Sequence, residues 1–200
     1  MGEYWYLWAL IIILIPVTVY VCYRASKAAK QNKEEREKII AKLDDMKALK
    51  DEFGSLSAEQ IKQADETRLL EGVALNTELK LQKCENANED FDNLSLGEKN
   101  AYVLSCILED SVDGVSSFFK KNTPPISPLA PSALKEAEMD GLAEIFAEAY
   151  EMYDENNESV SLDYDRLKEL DEKFKSLFNA DEYKKTAARY IKRNAADFAE

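Results

Sequence analysis

The sequence predicts an all-α protein: one N-terminal transmembrane helix, a charged juxtamembrane helix and a cytoplasmic multi-helix domain. Three observations carry that expectation. No charged residue falls between Tyr4 and Tyr23. Apolar residues recur at 3,4 spacing through most of the remaining chain. Ser or Asn followed three residues later by Glu or Gln marks helix starts repeatedly. The expected units are 1–23 as anchor, 24–53 as linker helix and 54–200 as an acidic helical domain.

The stretch Tyr4 to Tyr23 holds twenty residues, and twenty helical residues cover about 30 Å, the thickness of a bilayer core. Its centre, Leu10 to Ile15, is aliphatic. Tyr4, Trp5 and Trp8 at one end, with Tyr20, Tyr23 and Arg24 at the other, are the expected interfacial anchors. Pro16 removes one backbone hydrogen bond, which membrane spans tolerate. Before the span there is only Glu3, and after it come Arg24, Lys27, Lys30 and Lys33. The positive-inside rule then sets the N-terminus outside and the C-terminal domain in the cytoplasm, across a bacterial inner membrane. A cleaved signal peptide would need a basic leader and a small-residue cleavage site, and neither is evident. Gly2 lacks the Ser or Thr at position 6 that myristoylation requires.

Lys27 to Phe53 reads as a charged helix with Ile39, Leu43, Met46, Leu49 and Phe53 along it, too short a seam for a coiled coil. Gly54-Ser55 ends it. Ser57 with Gln60 forms a capping box, flanked by Leu56 and Ile61 as a hydrophobic staple. The helix it opens is expected to reach about Cys84, although residues 73–81 alternate like a strand and leave helix and strand both open. The stretch ENANEDFDN reads as a polar loop. Ser95 with Glu98 opens a helix to about Val112, facing inward through Ala101, Leu104, Leu108 and Val112. Asp113-Gly114 marks a turn, and a short helix follows with Phe118 and Phe119. Thr123 to Pro131 is a proline-rich loop that no helix crosses.

Ser132 starts the next helix, interrupted near Asp140-Gly141. Leu142, Ile145, Phe146, Ala149, Tyr150 and Tyr153 then share one face. After the loop DENNESVS, Asp163 caps a helix with the stripe Leu167, Leu170, Phe174, Leu177 and Phe178. Asn179 with Glu182 caps the last helix, where Tyr183, Ala187, Tyr190, Ile191 and Phe198 face inward. These aromatic stripes read as core rather than as a cofactor box.

Charge and residue usage narrow the function. The formal charge is −13, with 39 acidic and 26 basic residues. Glu85 to Glu172 alone holds 22 acidic and 6 basic residues, while Lys173 to Glu200 is net +3. Such a block repels nucleic acid, so direct nucleic-acid binding is not expected, and attracts basic proteins or simply keeps a domain dissolved. The three cysteines, Cys22, Cys84 and Cys106, form no CxxC and suit a reducing compartment. The chain has no histidine, which excludes Ser-His and Cys-His nucleophile pairs and the commonest zinc sites. No phosphate-cradling glycine motif and no twelve-residue calcium loop occurs. No catalytic residue, cofactor or metal is therefore expected.

From Leu94 to Phe198 the chain resembles a bacterial all-helical domain family typified by a small acidic DNA-mimic protein, most members being of unknown function. The resemblance lies in an ordered series of blocks: LSLGEKNAYVLSCILEDSVDG, VSSFFKKN, SALKEAEMDGLAEIFAEAYEMY, LKELDEKFKSL and ARYIKRNAADF. It covers about half of the chain. The sequence departs from the family at the turn, where Asp113-Gly114-Val115 replaces a double glycine, and lacks an Ile-Gly-Ala between the paired helices. The resemblance implies a binding protein offering carboxylates in place of phosphates to a basic DNA-binding protein. Glu144, Glu148, Glu151 and Glu155, spaced 4,3,4, form a row opposite an apolar stripe. Neighbours in such a row stand about 5–6 Å apart along the axis. The outer face of any amphipathic helix is also commonly charged.

The function expected is thus a non-enzymatic, membrane-anchored protein whose acidic domain binds a protein partner, in the sharper version a DNA-binding protein. The alternative is a membrane scaffold or assembly component that makes contact through the juxtamembrane helix, the acidic face serving only solubility. An enzyme working through carboxylates alone is the remaining class, without a base–nucleophile pair to support it.

Overall fold

The computed structural model describes residues 5–82, 91–153 and 163–198. Among them every regular element is helical, as the 3,4 spacing predicts. The chain divides into two compact units, Met1–Ala48 and Leu49–Glu200.

The first unit consists of most of α1, Trp5–Phe53. Here the structure corrects the expected fold class: among the described residues no helix is long and apolar enough to cross a membrane. The described side chains of α1 begin at Tyr20 and run on into its charged segment, so they supply no apolar stretch of spanning length. The same helix then continues without a break into the charged segment. Tyr4 lies outside the described residues; Trp5 and Trp8 are helical, and Tyr20, Tyr23 and Arg24 are exposed. Inner-membrane placement and orientation depended on a span that none of the described helices supplies. Ile39, Leu43 and Met46 are exposed as well.

The second unit begins with the last turn of α1, where Leu49 and Phe53 are buried. The Phe53 ring lies over Gly72 so closely that any Cβ there would overlap it. Buried Asn76 donates to the Phe53 carbonyl at 2.9 Å, a partner for a carbonyl that the end of α1 leaves free. Ser57 and Gln60 form the expected capping box, and Leu56 and Ile61 are both buried beside it. The helix it opens is short: α2, Ala58–Gln63, gives way to α3, Glu66–Leu81. Asp65 explains the break, since its carboxylate accepts from the Thr67 amide at 2.8 Å and caps a new start. Residues 73–81 are helical, with Val73, Ala74 and Thr77 buried on one face. Residues 83–90, with Cys84 and most of the expected polar loop, lie outside the described residues; the end of that loop, residues 91–93, is helical instead, with Phe91 buried.

Helix α4, Leu96–Asp110, starts at the predicted Ser95–Glu98 box. It stops before Val112, which is 74% exposed, so Val103 and Ile107 complete its inner face. Glu98 does more than cap. It accepts from the Ser95 amide and from Lys80 of α3, both at 2.9 Å, while Ser95 Oγ donates to the Asp197 carbonyl near the C-terminus. Burial works against its charge, but the Lys80 and Ser95 donors outweigh it and hold its carboxyl below the ordinary value of 4.5. A depressed carboxyl contributes stability above its unfolded value that is lost as pH falls through the folded one. Wild type is thus expected to lose stability below about pH 4.5. Glu98→Gln should be about 1–2 kcal/mol less stable at neutral pH, with a flatter acid limb. Urea titrations from pH 3 to 7 check this; parallel curves would deny Glu98 the role.

Helix α5, Val115–Lys121, follows Gly114, whose φ of +130° favours glycine. Pro131 stands in the first turn of α6, Ala130–Glu136, where a missing N–H does no harm. The expected proline loop is therefore shorter than Thr123 to Pro131, and Ser127–Leu129 adds a 3-10 turn. The next interruption falls at Glu138 rather than at Asp140-Gly141. Glu138 adopts φ +62°, with its amide and that of Met139 bonded back to the Lys135 and Leu134 carbonyls, a Schellman ending without glycine.

Then come α7, Asp140–Tyr153, α8, Tyr164–Leu177, and α9, Ala180–Arg193, the last two capped by Asp163 and Asn179 as predicted. Leu177 is 59% exposed, against expectation, because α8 ends there and Phe178 instead stacks on Phe174 at 4.7 Å. A final 3-10 turn, Ala195–Phe198, buries Phe198. Helix α3 packs on α4 and α9, α6 on α4 and α7, and α8 on α5 and α7. The core between them holds Phe118, Phe146, Phe174, Leu104 and Ile191, all fully buried.

Candidate acidic interaction surface

Helix α7 buries Ala143, Ile145, Phe146 and Ala149. That fixes its opposite face toward solvent. Glu144 and Glu151 are exposed there, and no described residue pairs with them. Glu148 is different. Half-buried, it is gripped by Arg166 of α8 through both Nε and Nη2. Asp163 holds the Arg166 amide, and Glu169 accepts from the guanidinium at 2.6 Å. Hydrogen bonds to Glu169 and Glu148 raise the Arg166 pKa, so the guanidinium stays charged. The middle of the predicted row is therefore neutralised. Glu155 lies outside the described residues.

Asp140 was not among the predicted residues, yet it stands one turn before Glu144 on the same side of α7 and is exposed. Both line an open groove between α6 and α7, with Pro131, Ser132, Lys135, Ala143 and Ala147. The signal was present in the sequence as another 4-residue step, masked by the turn expected at Asp140-Gly141.

A second acidic group could not be seen along the chain. Burial pushes the Tyr102 hydroxyl and the Cys106 thiol each up to about 12, with Glu78 of α3 and Glu109 and Asp110 of α4 adding to the effect. Packing of α3 against α4 brings these carboxylates together across 31 and 32 residues of sequence. Asp110 is already engaged by Lys121 at 3.1 Å and Asn122 at 2.9 Å. Cys106 is accordingly a protonated thiol at neutral pH, not an activated nucleophile.

The basic C-terminal stretch is turned on its own fold. Lys184 meets Glu71 at 2.6 Å, Lys192 meets Glu66 at 3.4 Å, and Arg193 meets Glu138. These pairs neutralise α3 and the turn after α6. They leave Asp140, Glu144 and Glu151 as the uncompensated carboxylates of α7.

No curated protein and no solved structure matches the chain. The model of the DMP19-like protein family matches residues 92–194. That segment runs from just before α4 to the end of α9 and contains the whole of α7. Its match extends over just over half of the chain, and the protein belongs to the DMP19-like family, an all-helical family of mostly unknown function.

Proposed function

We propose that this protein is a non-catalytic binding protein whose acidic α7 face takes a basic protein partner, and that the partner is a DNA-binding protein for which the carboxylates stand in place of phosphates. The observation that carries this reading is the set of exposed, uncompensated carboxylates Asp140, Glu144 and Glu151. They lie within the segment that the family model matches. They lie eleven residue steps apart from first to last, about 17 Å of helix. Binding to such a row releases counterions and weakens steeply with salt, as binding to DNA does.

The test uses the full chain as bait in lysate, with a salt gradient for elution. Truncation at Gly54 is avoided because it removes Phe53 from the core. DNA-binding proteins should elute at moderate salt and be displaced by added duplex. The double variant Glu144→Lys/Glu151→Lys should weaken their binding about tenfold or more. Partners indifferent to salt and to both reversals would refute the proposal.

One observation favours a second reading. Ile39, Ile40, Leu43 and Met46 of α1 are all exposed, and exposed apolar side chains grouped on one helix mark contact surfaces. Under this reading Leu43→Asp releases the partner and the two reversals do not.

A further inference from the structure

A small notch opens beside the other end of α7. Its wall is aromatic: the Phe119 and Tyr153 rings stack with centroids 5.4 Å apart, and Tyr150 lies 6.0 Å from Phe119. Pro124 closes one side, and Asn122, Thr123 and Ser127 complete the lining. The notch measures about 60 Å³. One water occupies about 10–15 Å³ by this measure, so the space suits a group of about four to six heavy atoms.

Two of these three polar residues are buried. Ser127 is only 5% exposed and Asn122 only 9%. Asn122 directs its amide nitrogen to Asp110 and to the Phe118 carbonyl. Among the described residues its Oδ1 receives no donor, and the Ser127 hydroxyl has no hydrogen-bond partner. Polar atoms without protein partners on the wall of a notch are open to an incoming donor. That group must be small, planar enough to lie against aromatic rings, and rich in donors. A guanidinium has four heavy atoms, donors only, and a cation that aromatic faces attract. An ammonium lacks the plane, and a proline ring lacks the donors.

We propose that this notch receives an arginine side chain of the partner, its guanidinium against the Phe119–Tyr153 wall and donating to Asn122 Oδ1 and Ser127 Oγ. The proposal rests on the basic-partner reading above and sharpens it. The α7 carboxylates supply attraction to any cation, and the notch selects arginine over lysine.

The test titrates the full chain by NMR with three acetylated, amidated tripeptides: Gly-Arg-Gly, Gly-Lys-Gly and Gly-Pro-Gly. A lysine decapeptide reports on the acidic row separately. The arginine peptide should bind about 3- to 10-fold tighter than the lysine peptide and shift the Ser127 and Asn122 amides. Ser127→Ala and Tyr153→Leu should each remove that preference and leave decapeptide binding unchanged. Equal affinities, a better proline peptide, or shifts confined to Asp140, Glu144 and Glu151 would overturn the arginine site. Decapeptide binding insensitive to Glu144→Lys/Glu151→Lys would instead count against the acidic row, even with the notch intact.

Discussion

Phe146→Ala is expected to destabilise the second unit by about 3–5 kcal/mol. Phe146 is fully buried near the middle of α7. Its ring meets Phe118 of α5 at 5.3 Å, Phe119 at 5.7 Å and Phe174 of α8 at 6.0 Å. Two of these contacts are edge-on, a geometry that adds to simple burial. One truncation therefore loosens three helices and opens a cavity that rigid ring neighbours do not fill. Because α7 also presents Asp140, Glu144 and Glu151, the variant should lose partner binding once unfolding sets in. Urea denaturation followed by circular dichroism gives the measure. A loss below about 1.5 kcal/mol would mean that the aromatic cluster repacks around the gap.

Gly114→Ala should cost about 3 kcal/mol, through two effects that a second variant separates. Gly114 has φ +130° and ψ 176°, a region that side chains rarely enter. A Cβ there would also lie 2.4 Å from Asp171 Oδ1. Asp171 is no bystander: it accepts from the Ser116 amide at 2.8 Å and the Ser116 hydroxyl at 2.6 Å. It thus caps α5 from α8, where Gly114 has no side chain to do so. Asp171→Ala alone should cost about 1–2 kcal/mol as the cap is lost. In the Asp171→Ala background, Gly114→Ala should lose its overlap with the carboxylate and keep its backbone strain and the 2.8 Å approach to the residue 171 Cβ, so the two changes should not add. Additive losses would show that the contact is unimportant.

This contact also gives a physical account of two blocks in the family-like series. VSSFFKKN and LKELDEKFKSL stand 55 residues apart, taken from Ser116 to Asp171, and meet at one cap. The ordered blocks are legible in sequence as separate helices. That one supplies the cap of another is not, since capping is usually read from residues beside the helix start.

Local chemistry determined much of this protein from sequence alone. Ser57–Gln60, Ser95–Glu98, Asp163 and Asn179 start helices where expected, because each cap is completed within three residues of chain. The 3,4 stripes identified most of the core for the same reason. Errors cluster where a local signal was weak or was outweighed. Asp65 splits one expected helix, Glu138 makes a left-handed turn without glycine, and Val112 and Leu177 emerge as their helices stop. The uncharged N-terminal stretch invited a membrane reading from length and lack of charge, while among the described residues no helix is long and apolar enough to span.

The fate of the acidic row was decided only by the tertiary structure. Sequence spacing places Glu144, Glu148 and Glu151 on one face of α7. Only the packing of α8 against α7 delivers Arg166 to Glu148, and only the return of α9 brings Lys184, Lys192 and Arg193 to Glu71, Glu66 and Glu138. Helical periodicity is set over three or four residues, so the sequence displays which charges share a face. Neutralisation depends on side chains meeting within about 4 Å across the fold. For that reason the sequence by itself determined the helices and their faces, and the tertiary structure decided which carboxylates remain open to a partner.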